Sequence, residues 1–87
     1  MSSFEGKFGD YVIRLSTRKN KKYMAHIGDG KWIHFGDKRY QQYFDRMGQY
    51  SELDHEDPVR RKSFHSRFQR FINEEPSAAW FSLNILW

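Results

Sequence analysis

The pair Asp29-Gly30 constrains this chain more than any other feature. It stands between Lys21-Lys22-Tyr23-Met24-Ala25-His26-Ile27-Gly28 and Lys31-Trp32-Ile33-His34-Phe35-Gly36, two runs that mix cationic, aromatic and small apolar residues. A two-residue Asp-Gly connection between β-forming runs specifies a hairpin with a type I′ turn, whose two central residues both need positive φ. Centring the turn on Asp29-Gly30 predicts a register: Gly28 faces Lys31, Ile27 faces Trp32, His26 faces Ile33, Ala25 faces His34 and Met24 faces Phe35. Side chains alternate across a strand. One face then collects Tyr23, Ala25, Ile27, Trp32 and His34, and the other Met24, His26, Ile33 and Phe35. Both faces carry apolar groups, so one is expected on the domain's own core and the other on the first strand's surroundings or a partner.

Eighty-seven residues suffice for one domain. A chain of this size buries only about three-fifths of the surface its unfolded form exposes. It has no cysteine, so neither disulfides nor thiolate-bound zinc can reinforce the core. Its resource is aromatic: eight Phe, five Tyr and three Trp, enough to build a core from few residues and to leave some rings at the surface. No apolar run approaches the roughly 18–20 residues of a membrane span. The start, Met1-Ser2-Ser3-Phe4-Glu5-Gly6, lacks the order of a secretory signal, so the chain reads as soluble. A formal charge of +4 favours acidic partners, and the placement of the charges matters more than their sum.

Residues 1–9 read as an irregular N-terminal arm and 10–87 as a single small α+β domain. Tyr11–Ser16 is a strand candidate, and Thr17–Lys22 a basic loop with four cations in six residues. After Gly36, Asp37 is placed to cap a short helical turn bearing Tyr40, Tyr43 and Phe44. The clearest helix start is Asp57-Pro58, with Asp57 as N-cap and Pro58 at the first helical position, behind Glu52, Asp54 and Glu56. This main helix is expected to run to about Ile72 with Phe64, Phe68, Phe71 and Ile72 as its apolar stripe. Ser77 is expected to cap a final short helix, Ala78–Leu86. The expected fold is therefore a hairpin or three-stranded antiparallel sheet packed on the main helix, with the short C-terminal helix against it.

Three segments together carry a resemblance. They are the Lys-Lys-Tyr hairpin closing in Ile33-His34-Phe35-Gly36, the stretch His55-Glu56-Asp57-Pro58-Val59-Arg60-Arg61-Lys62 with Phe64 and Arg67, and the tail Pro76-Ser77-Ala78-Ala79-Trp80-Phe81-Ser82 to Leu86-Trp87. Their order and spacing resemble a family of small basic proteins of unknown function encoded by large DNA viruses of algae and protists, over Lys19 to Trp87. Segment Gln41–Asp54 departs from it in being longer and more acidic. The resemblance implies a viral origin and a compact α+β domain, with location in the virion and in host cytoplasm or nucleus during infection; it brings no activity to transfer.

Chemistry-bearing residues are few. His26 and His34 fall on opposite hairpin faces, His55 and His65 are ten apart, and no His pair has i, i+4 spacing, so no metal site is expected. Asp54-His55-Glu56-Asp57 contains the ingredients of a nuclease, but capping and the helix dipole explain those acids without catalysis. No catalytic residue, cofactor or small-molecule substrate is expected. Two basic groups, Arg18, Lys19, Lys21 and Lys22 in the loop and Arg60, Arg61, Lys62 and Arg67 on the helix, would form an anion-binding patch if adjacent, with Tyr23 and Trp32 as stacking groups. Trp80, Phe81, Leu86 and Trp87 are candidate anchors in a neighbouring protein. The leading expectation is a non-catalytic minor structural protein of a virus particle that binds capsid or other virion proteins. The alternative is a sequence-tolerant nucleic-acid-binding module.

Overall fold

The computed structural model describes residues 4–87. Four antiparallel strands form one sheet in chain order: β1 (Glu5–Phe8), β2 (Tyr11–Leu15), β3 (Lys21–Gly28) and β4 (Lys31–Asp37). Two helices follow, α1 (Pro58–Phe68), continued by a 3₁₀ turn Gln69–Phe71, and α2 (Ala78–Ile85). The α+β class is as expected, with one more strand than the sequence suggested. That strand comes from the supposed arm. Residues 5–8 pair with β2 from Glu5↔Arg14 to Phe8↔Tyr11 across Gly9-Asp10, where Gly9 takes φ +60°. Glu5-Gly6-Lys7-Phe8 contains no β-branched residue, so only its turn announced it. Residues 1–3 of the expected arm lie outside the described residues.

The type I′ turn forms, with φ +53° at Asp29 and +70° at Gly30. The expected register holds only for Gly28↔Lys31. A bulge between His26 and Gly28 makes Ile27 an extra residue, and every earlier pair slips by one: His26↔Trp32, Ala25↔Ile33, Met24↔His34, Tyr23↔Phe35. A one-residue slip exchanges the faces of one strand relative to the other. Tyr23 and Ala25 therefore share the core face with Ile33 and Phe35, while Met24 and His26 share the opposite face with Trp32 and His34.

The core forms between the sheet and α2. Ile13, Tyr23, Ala25 and Phe35 from the strands are buried with Phe81, Ile85 and Leu86, and the Phe35 and Phe81 rings stack 5.3 Å apart. Helix α1, expected to be the sheet's main partner, has no buried residue. The reason is compositional. α2 is almost entirely apolar and can only be accommodated inside, whereas α1 carries Arg60, Arg61, Lys62 and Arg67 around a narrow stripe of Phe64 and Phe68. Both expected caps are present: Asp57 Oδ1 accepts from the Val59 amide at 2.9 Å, and Ser77 Oγ from the Trp80 amide at 3.1 Å.

The expected helical turn bearing Tyr40, Tyr43 and Phe44 does not form. Asp37 caps only a tight turn, accepting from the Arg39 amide at 2.9 Å, and the chain then runs irregularly to α1 apart from the 3₁₀ turn Ser51–Leu53. Buried polar groups hold this segment. Gln42 Nε2 donates to Tyr50 O at 2.8 Å and to Asp54 Oδ1 at 2.6 Å. Asp45 accepts from the Tyr23 hydroxyl at 2.5 Å and from the amides of Met47 and Tyr50, both at 2.9 Å. Lys22 Nζ donates to Gln42 Oε1 and to Tyr40 O. Such a network is favourable because its buried groups find partners.

Candidate functional site

With α1 outside the core, a cleft of about 750 Å³ separates it from the ends of β3 and β4. Its deep part is lined by Gly36, Lys22 and Leu86, of which Lys22 and Leu86 are almost fully buried. Gly36 adopts φ +76°, and a Cβ there would sit 2.9 Å from Leu86 Cδ1 and 3.2 Å from Lys22 Cβ, so glycine lets the Lys22 stem and Leu86 meet across the strand. Phe64, Phe68 and Trp87 form an aromatic wall. Phe64 stacks on Trp87 with 4.2 Å between centroids, and Phe68 lies 4.5 Å from Phe64. Toward solvent, the lining is Lys21, Arg60 and Arg67 with the exposed Val59 and Tyr40.

The cleft is cationic. Its one acidic side chain, Asp37, is gripped by Arg39 through Nε at 3.0 Å and Nη2 at 2.8 Å, bonds that hold its carboxyl well below the usual carboxylate range. Lys21, Arg60 and Arg67 take part in no ion pair among the described residues. Arg60 Nη1 donates to the neutral Gln41 Oε1 at 2.9 Å, joining α1 to the segment after β4. Burial lowers the Lys22 ammonium's pKa, opposed chiefly by Asp45 and then Asp37.

The residues singled out from the sequence divide clearly. Lys21, Arg60 and Arg67 do come together from the two basic groups, and Trp87 joins them. Lys22 also lines the cleft, but its ammonium is spent on Gln42 and Tyr40, so it is not a surface anion contact. Tyr23 is fully buried and cannot stack on a ligand. Trp32 lies on the other face of the sheet, under the Arg14 guanidinium at 5.3 Å. Arg18, Lys19 and Lys62 are exposed but outside the cleft lining. Arg61 turns to Trp87 O at 2.8 Å and to the Tyr43 ring. Of the tail anchors, Phe81 and Leu86 are core residues, and the half-buried Trp80 packs edge-on to Phe8 and Tyr11. Their apolarity was consumed by the sheet.

Sequence reasoning missed Tyr40 and Gln41 as cleft residues, and nothing in their neighbourhood marked them. Phe64 and Phe68, expected as part of the main helix's apolar stripe, line the cleft and lie outside the buried core. The acidic stretch is structurally employed: Asp54 Oδ1 also accepts from the Asp45 amide at 2.8 Å, His55 Nδ1 accepts from the Asp57 amide at 2.9 Å, and Asp57 caps α1. Among the described residues, no three His, Asp or Glu side chains are grouped to hold a metal ion, and no helix is long and apolar enough to cross a membrane.

A four-stranded meander closed by one apolar helix, with a second, cationic helix standing off it, defines a small α+β domain with an open cleft. The chain belongs to DUF5754, a family of unknown function, whose pattern matches residues 11–68. That span runs from the first residue of β2 to the last of α1 and so includes the cleft's cations, though not α2. No curated protein and no solved structure matches the chain.

Proposed function

We propose that this protein is a non-catalytic binding module that grips a segment of a neighbouring protein in the cleft between α1 and the sheet. In the setting implied by the resemblance over Lys19–Trp87, it is a minor structural component of a large DNA virus particle. One observation carries the reading. A cleft of about 750 Å³ combines an aromatic wall with three cations that form no ion pair among the described residues, which is the make-up of a recognition site rather than of a packing defect. A solvated basic face explains Arg18, Lys19 and Lys62 equally well, but not the recessed Phe64–Trp87 wall beside Arg60 and Arg67.

The test is site-directed photo-crosslinking in the native setting. A benzophenone side chain in place of Val59, which is 72% exposed at the cleft, is expected to capture a discrete polypeptide that the same probe at Lys31 does not. Capture of nucleic acid at Val59 instead would replace this reading with the nucleic-acid module. Mass spectrometry of purified particles tests the virion setting separately, and absence of the chain from them would remove that setting.

A further inference from the structure

We infer that the cleft's occupant is an extended acidic peptide segment carrying one large apolar side chain between two carboxylates; this rests on the protein-binding reading above. Charge complementarity selects the acid. Lys21, Arg60 and Arg67 line the cleft without ion-pair partners among the described residues, and the one acidic side chain in the lining, Asp37, is already satisfied by Arg39. A site with more cations than acidic side chains, its Asp37 held by an arginine outside the lining, favours an anionic partner and raises the cost of a cationic one.

Spacing narrows the class. Arg60 and Arg67 are seven residues apart on α1, which at about 1.5 Å per residue is roughly 10 Å along the axis. In an extended peptide, positions i, i+2 and i+4 project to the same side and span about 13 Å. The flexible ends of two Glu side chains cover the difference. The middle side chain then faces Phe64 and Phe68, beside the exposed Val59. Glu-x-Leu-x-Glu is the simplest sequence of this kind.

The rings decide between peptide and single-stranded nucleic acid. Stacking a base needs an open aromatic face. Phe64 already gives one face to Trp87, at an interplanar angle of 3°, and is flanked by Phe68. Rings engaged on one another in this way suit an aliphatic side chain, which needs no open ring face.

Isothermal titration of the intact protein with the peptide Ser-Glu-Ser-Leu-Ser-Glu-Ser tests the inference. Affinity is expected to fall about tenfold or more when both Glu become Gln, when Leu becomes Ser, and when the protein carries Arg60→Gln with Arg67→Gln. A thermal melt establishes that the double variant is folded, and Arg18→Gln with Lys19→Gln, outside the cleft, is expected to bind as the unaltered protein does. Equal binding of the Glu and Gln peptides would overturn the acidic inference while leaving protein binding intact. No binding of any peptide would overturn it as well, with the Val59 crosslink then judging the protein-binding reading alone. Binding of oligo-dT that competes with the Glu peptide for Arg60 and Arg67 would overturn both.

Discussion

Phe64 lies flat against Trp87, with centroids 4.2 Å apart and planes within 3°. This stack, with the Arg61 Nε donation to Trp87 O and the Arg60 donation to Gln41, is what fastens a helix that has no buried residue of its own. Elements with few buried apolar contacts open locally, below the cost of global unfolding. Phe64→Ala is therefore expected to strip hydrogen-exchange protection from amides of residues 61–68 while leaving β2, β3 and α2 protected. Loss of protection across the sheet in the same variant would mean that α1 is integral to the core.

Gly36 lies behind the cleft, close against Leu86 and Lys22. Gly36→Ala imposes a left-handed conformation on a residue with a Cβ and drives that carbon to 2.9 Å from Leu86 Cδ1. Together these are expected to cost about 2–4 kcal/mol in urea unfolding. Gly9→Ala is the control: φ is +60° there too, but no atom lies within 4 Å of the new carbon. Its cost is expected to be about 1 kcal/mol, the backbone part alone. Equal costs would show that the contact with Leu86 and Lys22 carries no weight.

Local signals were legible in the sequence, and long-range allocation was not. Asp29-Gly30, Asp57-Pro58 and Ser77 each mark their turn or cap through chemistry confined to a few neighbours, and all three form. The bulge at Ile27 is marked only by Gly28, a glycine inside the strand run with φ +105°, and it alone moved Trp32 and His34 to the opposite face. Which helix would cover the sheet depended on a competition between two apolar stripes. α2 wins because it has almost no polar face to present to water. The cleft followed from that outcome: Arg60, Arg67 and Lys21 were visible as cations, but only the exclusion of α1 from the core places them opposite one another. Lys22 and Tyr23 were misread because their partners, Gln42 and Asp45, lie some 20 residues away in a segment without periodicity.

Tyr23 ties that segment to the sheet. Its hydroxyl donates to Asp45 Oδ2 at 2.5 Å and accepts from the Gln49 amide at 3.1 Å. Tyr23→Phe keeps the ring but leaves Asp45 short of a donor, and is expected to cost about 1.5–3 kcal/mol, the range for a bond to a charged group. Burial, and then the bond to Asp45, pushes the phenol's pKa well above its ordinary value. The folded protein therefore keeps a proton that the unfolded chain releases from about pH 10 upward, and stability falls as pH rises through that range. In the Phe variant this alkaline decline is expected to be shallower. An unchanged alkaline limb would assign the loss to other groups.

His55 is expected to contribute to a loss of stability in acid. Its Nδ1 accepts from the Asp57 amide at the start of α1, its ring lies 5.1 Å from Trp87, and Nε2 is buried without a partner. Burial depresses its pKa, aided by Arg60 and opposed by Asp57 and Asp54. A proton on Nδ1 would also place a donor against the Asp57 N–H. The unfolded chain binds that proton near pH 6.5 while the folded protein still refuses it, so stability decreases as pH falls below about 6.5. His34, depressed by burial and by Arg18 and Lys21, acts in the same direction. His55→Asn preserves an acceptor for the Asp57 amide and removes the titration. Its melting temperature is expected to be lower at pH 7.5, for want of the ring against Trp87, yet to drop less between pH 7.5 and 5.5. Adding His34→Asn should flatten that drop further. If the single variant loses as much stability as the unaltered protein over this interval, the acid sensitivity does not originate beneath Trp87.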